Sequence, residues 1–351
     1  MVDLNFYKDK IVLVTGHTGF KGTWLSKVLI NAGAKVIGYS LKPLTEPNLF
    51  SLAKIEDKMI SIIGDIRDYD CLKGVFDKYN PEIVIHLAAQ PILKKSYEDP
   101  KYTYDTNVMG TINICECVRN SSSVKSFLNV TSDKVYHNED SNKVFEENDN
   151  LNGDDPYSNS KTCSEIITCT YRRAFFKDRD CSISTARACN VIGGGDFSPY
   201  RIIPDCIRAI EKEEPINLRN PYSVRPYQHV LEALNAYLII CEKQYLNKEY
   251  EGSFNVGSDK CDCITTGELA DKLCKAWGNG ITWINNYKGE PFKEAKFLSV
   301  DNSKIKEVFN WKQKWHIDET INKIVEWTKV YLENKNNVSD EMDRQIKEFF
   351  N

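Results

Sequence analysis

Residues 11–24 of the chain read IVLVTGHTGFKGTW, and this stretch decides the fold. Its first five residues, Ile11–Thr15, are mostly β-branched and predict a buried strand. Gly16, Gly19 and Gly22 follow, and a helical pattern begins at Trp24. Glycines at this spacing let the backbone turn tightly and approach a pyrophosphate, which lies on the helix N-terminus. The stretch therefore predicts a strand–turn–helix unit that binds a dinucleotide.

The rest of the first half continues this alternation of strands and helices. Further strands are predicted at Lys35–Tyr39, Met59–Ile63, Ile83–Leu87, Ser126–Thr131 and Ser182–Ala188. Helices are predicted at Trp24–Asn31, Tyr102–Arg119 and Tyr157–Phe176. Strands that alternate with helices form a parallel sheet covered on both faces. The expected fold class is α/β: a Rossmann-type, doubly wound parallel sheet with a smaller mixed α/β lobe that binds the substrate.

A change in composition near residue 190 predicts the domain boundary, because proline and glycine become frequent after it. We expect a dinucleotide-binding domain at residues 1–190, with later segments near residues 228–258 crossing back to it. A substrate lobe is expected at residues 191–335. Residues 336–351 form a C-terminal tail that could be a helix, with Ile346, Phe349 and Phe350 on its apolar face.

Charge and composition exclude several classes of protein. The 351 residues carry a net charge of −4, and 41% of them are hydrophobic, as in ordinary globular proteins. This balance gives no reason to expect nucleic acid or membrane partners. The N-terminus lacks a signal-peptide pattern, and the 12 cysteines are scattered without zinc-finger spacing. We therefore expect a cytoplasmic protein with reduced thiols. The five histidines show no ligand spacing, so no metal site is expected.

Ligands of parallel sheets bind at the carboxyl ends of the strands, which makes the residues there candidate cofactor contacts. They are Gly16, His17, Thr18, Gly19, Phe20, Gly22, Ser40, Asp65, Ile66, Leu87, Ala88, Ala89 and Gln90. The second strand ends without the acidic residue that binds ribose hydroxyls in many NAD sites. Ser40 can still bind a ribose and Lys42 can meet a 2′-phosphate, so NAD and NADP both stay open. Asp65 has two interpretations, a contact to adenine or a helix cap.

A second motif predicts the chemical step. Tyr157 and Lys161 are four residues apart in a predicted helix and therefore share a face. A neighbouring ammonium favours the phenolate, so we expect Lys161 to lower the pKa of Tyr157 and make it a base near neutral pH. Ser132 follows the fifth strand, where its hydroxyl can bridge a substrate oxygen and Tyr157. The set is typical of an enzyme that oxidises an alcohol.

These motifs resemble those of the extended short-chain dehydrogenase/reductase family over nearly the whole chain. The matching positions run from the glycine loop through Asp65, His86–Gln90, Asn107, Ser132, Tyr157 and Lys161. The resemblance implies NAD as cofactor, with Asn107, Tyr157 and Lys161 also contributing to its site. It further implies a homodimer paired through the predicted helices around Tyr102–Arg119 and Tyr157–Phe176.

Four longer stretches resemble the branch of that family that dehydrates CDP-glucose. They are residues 16–24 (GHTGFKGTW), 131–136 (TSDKVY), 190–196 (NVIGGGD) and 225–230 (RPYQHV). The resemblance implies a nucleotide-sugar 4,6-dehydratase, an NAD-dependent hydro-lyase. Tyr157 takes the proton of the C4 hydroxyl as hydride passes to NAD, water is lost across C5 and C6, and the hydride returns to C6. The product, a 4-keto-6-deoxy sugar, would serve deoxysugar and polysaccharide biosynthesis.

The same resemblance assigns further catalytic residues. Asp133 is expected to protonate the departing C6 hydroxyl, which requires a partly desolvated carboxyl. Its alternative role is to cap the loop after the strand. Lys134 stands where related dTDP-sugar dehydratases carry a glutamate as the C5 base. It is therefore either a neutral base or a group that stabilises the C5 enolate while another residue takes the proton.

The second lobe is expected to bind the nucleotide sugar. The candidate contacts are Asn190, Arg201, Arg219 and Arg225. Arg225 is the first choice for the diphosphate, because the guanidinium fork matches phosphate oxygens. For Arg219 a surface ion pair is an equal alternative. His229 is expected to be packed and hydrogen-bonded.

Two other functions stay open at this point. A nucleotide-sugar 4-epimerase or C4 oxidase would use Ser132, Tyr157 and Lys161 but has no need of Asp133 and Lys134. A non-catalytic NAD-binding sensor on the same fold would need none of these side chains.

Overall fold

The computed structural model describes residues 1–139, 142–289 and 295–351. In these ranges the strands are β1 (Ile11–Thr15), β2 (Lys35–Ser40), β3 (Ile60–Ile63), β4 (Ile83–His86), β5 (Ser126–Val130), β6 (Val144–Phe145), β7 (Ser182–Ala188), β8 (Asn190–Ile192), β9 (Ile216–Leu218), β10 (Val224–His229), β11 (Ser253–Val256), β12 (Cys263–Thr265), β13 (Trp283–Asn285) and β14 (Ser299–Val300). The α-helices are α1 (Phe20–Asn31), α2 (Leu49–Ala53), α3 (Tyr69–Tyr79), α4 (Leu93–Glu98), α5 (Pro100–Tyr104), α6 (Gly110–Asn120), α7 (Pro156–Phe175), α8 (Ile202–Glu211), α9 (Val230–Leu246), α10 (Thr266–Trp277), α11 (Ser303–Phe309), α12 (Ile317–Glu333) and α13 (Val338–Phe350). Short 3-10 turns lie at Leu4–Tyr7, Glu56–Lys58, Asp133–Val135, Lys248–Tyr250, Lys260–Asp262 and Lys335–Asn337, and a π turn joins α5 to α6 at Asp105–Met109.

Seven strands form the main sheet, in the order β3-β2-β1-β4-β5-β7-β11, and every neighbouring pair is parallel. Val14 of β1 lies between Gly38 of β2 and Ile85 of β4, and the core of β1 is fully buried because helices cover both faces. The predicted Rossmann-type fold is confirmed. The predicted ends of the strands differ by about one residue from the observed ones, since the chain leaves the ladder where it turns toward the ligand edge.

The seventh strand comes from a late part of the chain. After the first excursion into the lobe, α9 runs back along the sheet and β11 pairs with β7. Helix α9 is apolar around most of its circumference, and most of its residues are buried. A helix of that kind is stable only inside a core, here against β5, β7 and α1.

The remaining elements form the smaller lobe and the C-terminal helix. The lobe has its own three-stranded sheet, in the order β12-β10-β8, and an apolar core that includes Ile203, Leu269 and Ile321. The predicted C-terminal helix is α13. It buries Ile346 and Phe349, while Phe350 is only partly buried.

None of the helices in the described ranges combines the length and apolar character needed to cross a bilayer. All 12 cysteines lie in those ranges and carry free thiols.

Candidate active site

One large cavity, of about 1050 Å³, opens at the carboxyl edge of the main sheet, and the lobe closes its far side. Its walls come from the loops that follow β1, β2, β3, β4, β5 and β7, and from residues 196–225 of the lobe. The structure brings almost all of the predicted site residues to this cavity. His17 and Asn107 are the exceptions.

The glycine loop forms a cradle that leaves no room for side chains. Gly16 has φ +76°, and a Cβ there would lie 2.9 Å from the backbone nitrogen of Ala88. A Cβ on Gly22 would lie 2.0 Å from the carbonyl oxygen of Gly16, whereas one on Gly19 would meet nothing closer than 3.4 Å. Helix α1 begins at this loop without a side-chain cap. The bare helix start and the open backbone fit the pyrophosphate of a dinucleotide.

This geometry predicts the effect of a single methyl group. We expect Gly22→Ala to abolish measurable dinucleotide binding and to destabilise the protein, because the backbone of Gly16 must move. The matched control is Gly74→Ala, since Gly74 also lies in a helix but has open space around its Cβ position. That control should be stabilised by about 0.5–1 kcal/mol. Calorimetric titration with NAD and thermal unfolding test both variants, and equal binding by the two would contradict the cradle.

His17 and Asn107 support the cavity from behind its wall. The His17 ring lies under β2, where its Nε2 is 2.8 Å from the hydroxyl of Ser61, and burial lowers its pKa to about 4. Asn107 donates from Nδ2 to the carbonyl of Gln90 at 3.1 Å and to the Ser160 hydroxyl at 2.9 Å. Both side chains therefore hold the loops that face a ligand, which their positions in the sequence do not reveal.

The end of β2 offers hydroxyl groups and no carboxylate. The hydroxyls of Thr18 and Ser40 lie 2.9 Å apart, and Lys42 also lines the cavity. Asp65 lines it too, but Arg67 holds its carboxylate through Nε and Nη2 and keeps the pKa of Asp65 below its usual range. The cap interpretation was based on two aspartates before this helix, Asp65 and Asp68; Asp68 is the cap of α3 and accepts from the backbone nitrogen of Cys71, whereas Asp65 is not the cap.

Tyr157 and Lys161 lie one turn apart at the start of α7 and line the cavity, with Lys161 buried and Tyr157 half-buried. The helix starts there because Asp155 accepts from the backbone nitrogen of Ser158 and Pro156 occupies the first turn. The Lys161 Nζ donates to the carbonyl of Val130, at 3.1 Å, which ties α7 to the end of β5.

The expected activation of Tyr157 by Lys161 needs a correction. Burial raises the pKa of Tyr157, and the groups that oppose this rise are Lys134, the Ser132 hydroxyl and Arg201. Burial also lowers the pKa of Lys161 to about 7, and the charge of Lys21 acts in the same direction. The sequence pattern places the two groups together but says nothing about how deeply they are buried, and burial dominates both shifts.

Asp133 is a buried carboxyl at the centre of the site. Its Oδ1 accepts from the Ser132 hydroxyl at 3.1 Å, and its Oδ2 has no hydrogen-bond partner. Burial raises the pKa of Asp133, as the predicted acid role requires, although the charge of Lys134 opposes the shift. The 3-10 turn is capped by Ser132, which accepts from the backbone nitrogen of Lys134, so the cap alternative for Asp133 was wrong.

Two further residues in the cavity were missed from the sequence. Burial lowers the pKa of Lys21, in the glycine loop, to about 8, and the positive charge of Arg201 adds to this effect. Cys189 lies beside Asp133, and burial raises the pKa of its thiol well above the usual range. The position of Lys21 within the loop could have identified it. Nothing local marks Cys189, since its contact with Asp133 depends on the pairing of β5 with β7.

The four residues predicted to bind the nucleotide sugar all line the cavity, but they differ in the polar partners they already have. Asn190 lines it at the start of β8. Arg201 pairs with Asp196 at 3.6 Å, and Arg219 pairs with Asp205 at 2.5 Å. Arg225 is buried, and its guanidinium donates to backbone carbonyls, at 2.8 Å to Val224 and 2.6 Å to Ala295. The fork that was expected to hold a diphosphate thus also binds the backbone at Val224 and Ala295.

The histidines and possible metal ligands lie elsewhere. His229 is fully buried, accepts from the backbone nitrogen of Leu231 and packs against Trp315, with ring centroids 4.8 Å apart. Within the described ranges, Cys261, Asp262 and His316 place one ligand atom each within 4.8 Å of one another. The carboxylate of Asp262 already accepts from the Ile317 backbone nitrogen and the Gln313 amide.

Comparison with known proteins gives a consistent picture. Residues 13–324 match the family model described as GDP-mannose 4,6 dehydratase. The chain is 41% identical to the CDP-glucose 4,6-dehydratase of Salmonella typhimurium over 338 residues, covering 95% of this chain and 94% of that protein.

Solved structures agree in fold. The epimerase Mth375 of Methanothermobacter thermautotrophicus superposes with a TM-score of 0.83 at 22% identity, covering 94% of this chain and 95% of that one. The dTDP-glucose 4,6-dehydratase of Bacillus anthracis, in complex with NAD, gives a TM-score of 0.76 at 22% identity, covering 93% and 97%. At this level of identity the agreement concerns the fold alone.

Proposed function

The chain belongs to the GDP-mannose 4,6 dehydratase family, and from this we propose that it is an NAD-dependent nucleotide-sugar 4,6-dehydratase that converts CDP-glucose to CDP-4-keto-6-deoxyglucose. The match to a CDP-glucose 4,6-dehydratase along nearly all of both chains supports the substrate. The reaction makes a precursor for deoxysugar biosynthesis.

The observation that carries the proposal is the buried Asp133 carboxyl with a free oxygen beside Ser132 and Tyr157. An epimerase or a C4 oxidase has no step that needs a neutral carboxylic acid. A dehydratase does, because the C6 hydroxyl leaves as water only when a proton reaches it. A carboxyl whose pKa is raised by burial keeps that proton closer to neutral pH.

The other side chains divide the remaining proton transfers. Tyr157, which lines the same cavity as Ser132, takes the proton of the C4 hydroxyl. Lys134 also lines the cavity, where its charge acts on Asp133 and Tyr157, and either removes the C5 proton or stabilises the C5 enolate. Asp133 then protonates the C6 hydroxyl, and water leaves. NAD, when bound, would supply the acceptor for the C4 hydride and the donor for its return to C6. As the hydride adds at C6, C5 regains a proton, and the proton taken from the C4 hydroxyl replaces, through solvent, the one that Asp133 gave up. The net change is the loss of one water.

The cofactor fits the residues present. The backbone of the glycine loop would hold its pyrophosphate, Ser40 its adenosine ribose, and Tyr157 with Lys161 the ribose next to the nicotinamide. We propose NAD over NADP because Lys42 is the only cation among the cavity residues contributed by the end of β2, and an NADP phosphate usually meets an arginine there.

A mass measurement tests the proposed function. Purified protein is incubated with CDP-glucose and NAD, and the sugar nucleotide is weighed by mass spectrometry. A product lighter by one water is expected. A product of unchanged mass but altered sugar would instead support an epimerase, and an oxidised product would support a C4 oxidase. Unchanged CDP-glucose would count against all three and favour a sensor or another sugar.

A substitution at Lys134 should distinguish C4 oxidation from the elimination of water that follows it. We expect Lys134→Ala to leave C4 oxidation within a few fold of the unaltered protein but to slow elimination by about 100-fold or more. Reduced nicotinamide should therefore accumulate in single-turnover absorbance traces. Lys42→Ala is the control, because Lys42 lines the cavity at the adenosine end. No accumulation in the Lys134 variant would contradict its role after C4 oxidation.

We also propose that two copies pair through α6 and α7. Ile166 of α7 is 49% exposed, which leaves an apolar side chain in contact with solvent on the helix that carries the active site. Ile166→Glu should convert a dimer to a monomer in light scattering. Leu332→Glu, at a residue 41% exposed on α12, should leave the dimer intact. A monomer mass for the unaltered protein would contradict the pairing.

The free thiols support a cytoplasmic location for the enzyme, since that compartment keeps cysteines reduced.

A further inference from the structure

A buried ion pair lies directly behind the active site. Glu165, one helical turn after Lys161 on α7, pairs with Arg187 of β7 at 2.9 Å, and the side chains are 0% and 3% exposed. Removing two charges from water is costly, and well-packed apolar residues often stabilise a core as well. The partners of the pair indicate what it contributes instead.

The Glu165 carboxylate ties the end of β5 to α7. Its Oε2 accepts from the hydroxyl of Thr131 at 2.7 Å, and its Oε1 accepts from the hydroxyl of Thr185 at 2.5 Å. Thr131 directly precedes Ser132, so the carboxylate binds the residue next to the turn Ser132–Lys134, which we call the catalytic turn. Thr185 lies in the middle of β7, two residues before Arg187.

The Arg187 guanidinium holds the other side of the same turn. Its Nη1 donates to the hydroxyl of Tyr136 and to the carbonyl of Glu147, both at 2.8 Å. Tyr136 follows the 3-10 turn Asp133–Val135 and donates in turn to Asn255 at 2.6 Å. The ion pair is thus hydrogen-bonded to Thr131, immediately before Ser132, and to Tyr136, immediately after Val135.

We propose that Glu165 and Arg187 are positioning residues that fix the Ser132–Lys134 turn against the Tyr157/Lys161 helix. The proposal rests on the proposed function, because it concerns the alignment of groups that act on the sugar.

Two threonines make a matched test of the positioning role. Thr131→Val and Thr185→Val each remove one buried hydroxyl that donates to Glu165, but only Thr131 adjoins the catalytic turn. We expect Thr131→Val to lower kcat by about tenfold to a hundredfold with little change in KM, as misplacement by a fraction of an ångström does. Thr185→Val should lower the melting temperature by about as much as Thr131→Val does, but it should leave kcat within twofold. Equal losses of kcat in the two variants would reduce the pair to a structural role and overturn the proposal. The rates are measured for whichever reaction of the sugar nucleotide the mass measurement identifies, so a failure of the dehydratase assignment leaves this comparison intact.

Discussion

Replacing Tyr157 by phenylalanine is expected to reduce turnover of CDP-glucose by about 1,000-fold. General acid–base groups contribute roughly 100- to 10,000-fold, and the phenol is the group best placed to take the C4 proton. Burial raises the pKa of Tyr157 and so opposes its ionisation. The positive charges of Lys134 and Arg201 act against this rise and favour the phenolate. Mass spectrometry of the product measures the loss of turnover, and calorimetric titration with NAD measures whether the cofactor still binds.

The control for this variant is Tyr104→Phe. Tyr104 donates to the side chain of Asn159 at 2.9 Å, so it sits next to the same helix but outside the cavity wall. Its loss should change turnover by less than twofold, and both variants should bind NAD with nearly the affinity of the unaltered protein. A Tyr157→Phe protein that dehydrates the sugar at more than a tenth of the normal rate would remove the phenol from the chemistry.

The second large effect is expected at Asp133. Asp133→Asn keeps the size of the side chain but has no proton to give to the C6 hydroxyl, so elimination should slow by about 100- to 10,000-fold. C4 oxidation should persist, and reduced nicotinamide should accumulate in a single turnover. Asp65→Asn is the control, because it removes a carboxylate at the adenosine end of the same cavity. That change should alter NAD affinity without any accumulation.

The pH dependence gives an independent check on Asp133. Burial raises its pKa, so the carboxyl holds its proton to a higher pH than an exposed aspartate does. Elimination by the unaltered protein should therefore fall as the pH rises through that raised pKa. The residual rate of Asp133→Asn should not show this fall, because the amide does not titrate. A parallel pH profile in the two proteins would assign the acid to another group.

The features that could be predicted from the sequence are those set by local spacing. The glycine loop after β1 and the four-residue spacing of Tyr157 and Lys161 depend on neighbours in the chain, and both lie where the patterns place them. The carboxyl ends of the parallel strands meet at one edge, which brings Ser132 and Asp133 to the same cavity. Local patterns and sheet topology were sufficient for this much.

The other features depend on how deeply side chains are buried and on contacts between residues that are far apart in the chain. The sign of the pKa shift at Tyr157 is set by burial, which the spacing of two residues does not report. The guanidinium of Arg225 is partly engaged by the carbonyl of Ala295, 70 residues away in the chain. The pair of Glu165 and Arg187 forms only because α7 packs against β7 in the folded chain. Such contacts belong to the assembled fold and leave no mark on any one segment.

The late entry of β11 into the main sheet limits how this architecture can be recombined. The chain passes from the sheet to the lobe near residue 189, returns near residue 230 for α9 and β11, and leaves again near residue 257. The lobe is therefore encoded in separate pieces that interleave with the cofactor unit. A fragment that stops at residue 190 would expose the apolar surface that α9 covers. A lobe built in this way cannot be exchanged between proteins of this fold as one continuous cassette.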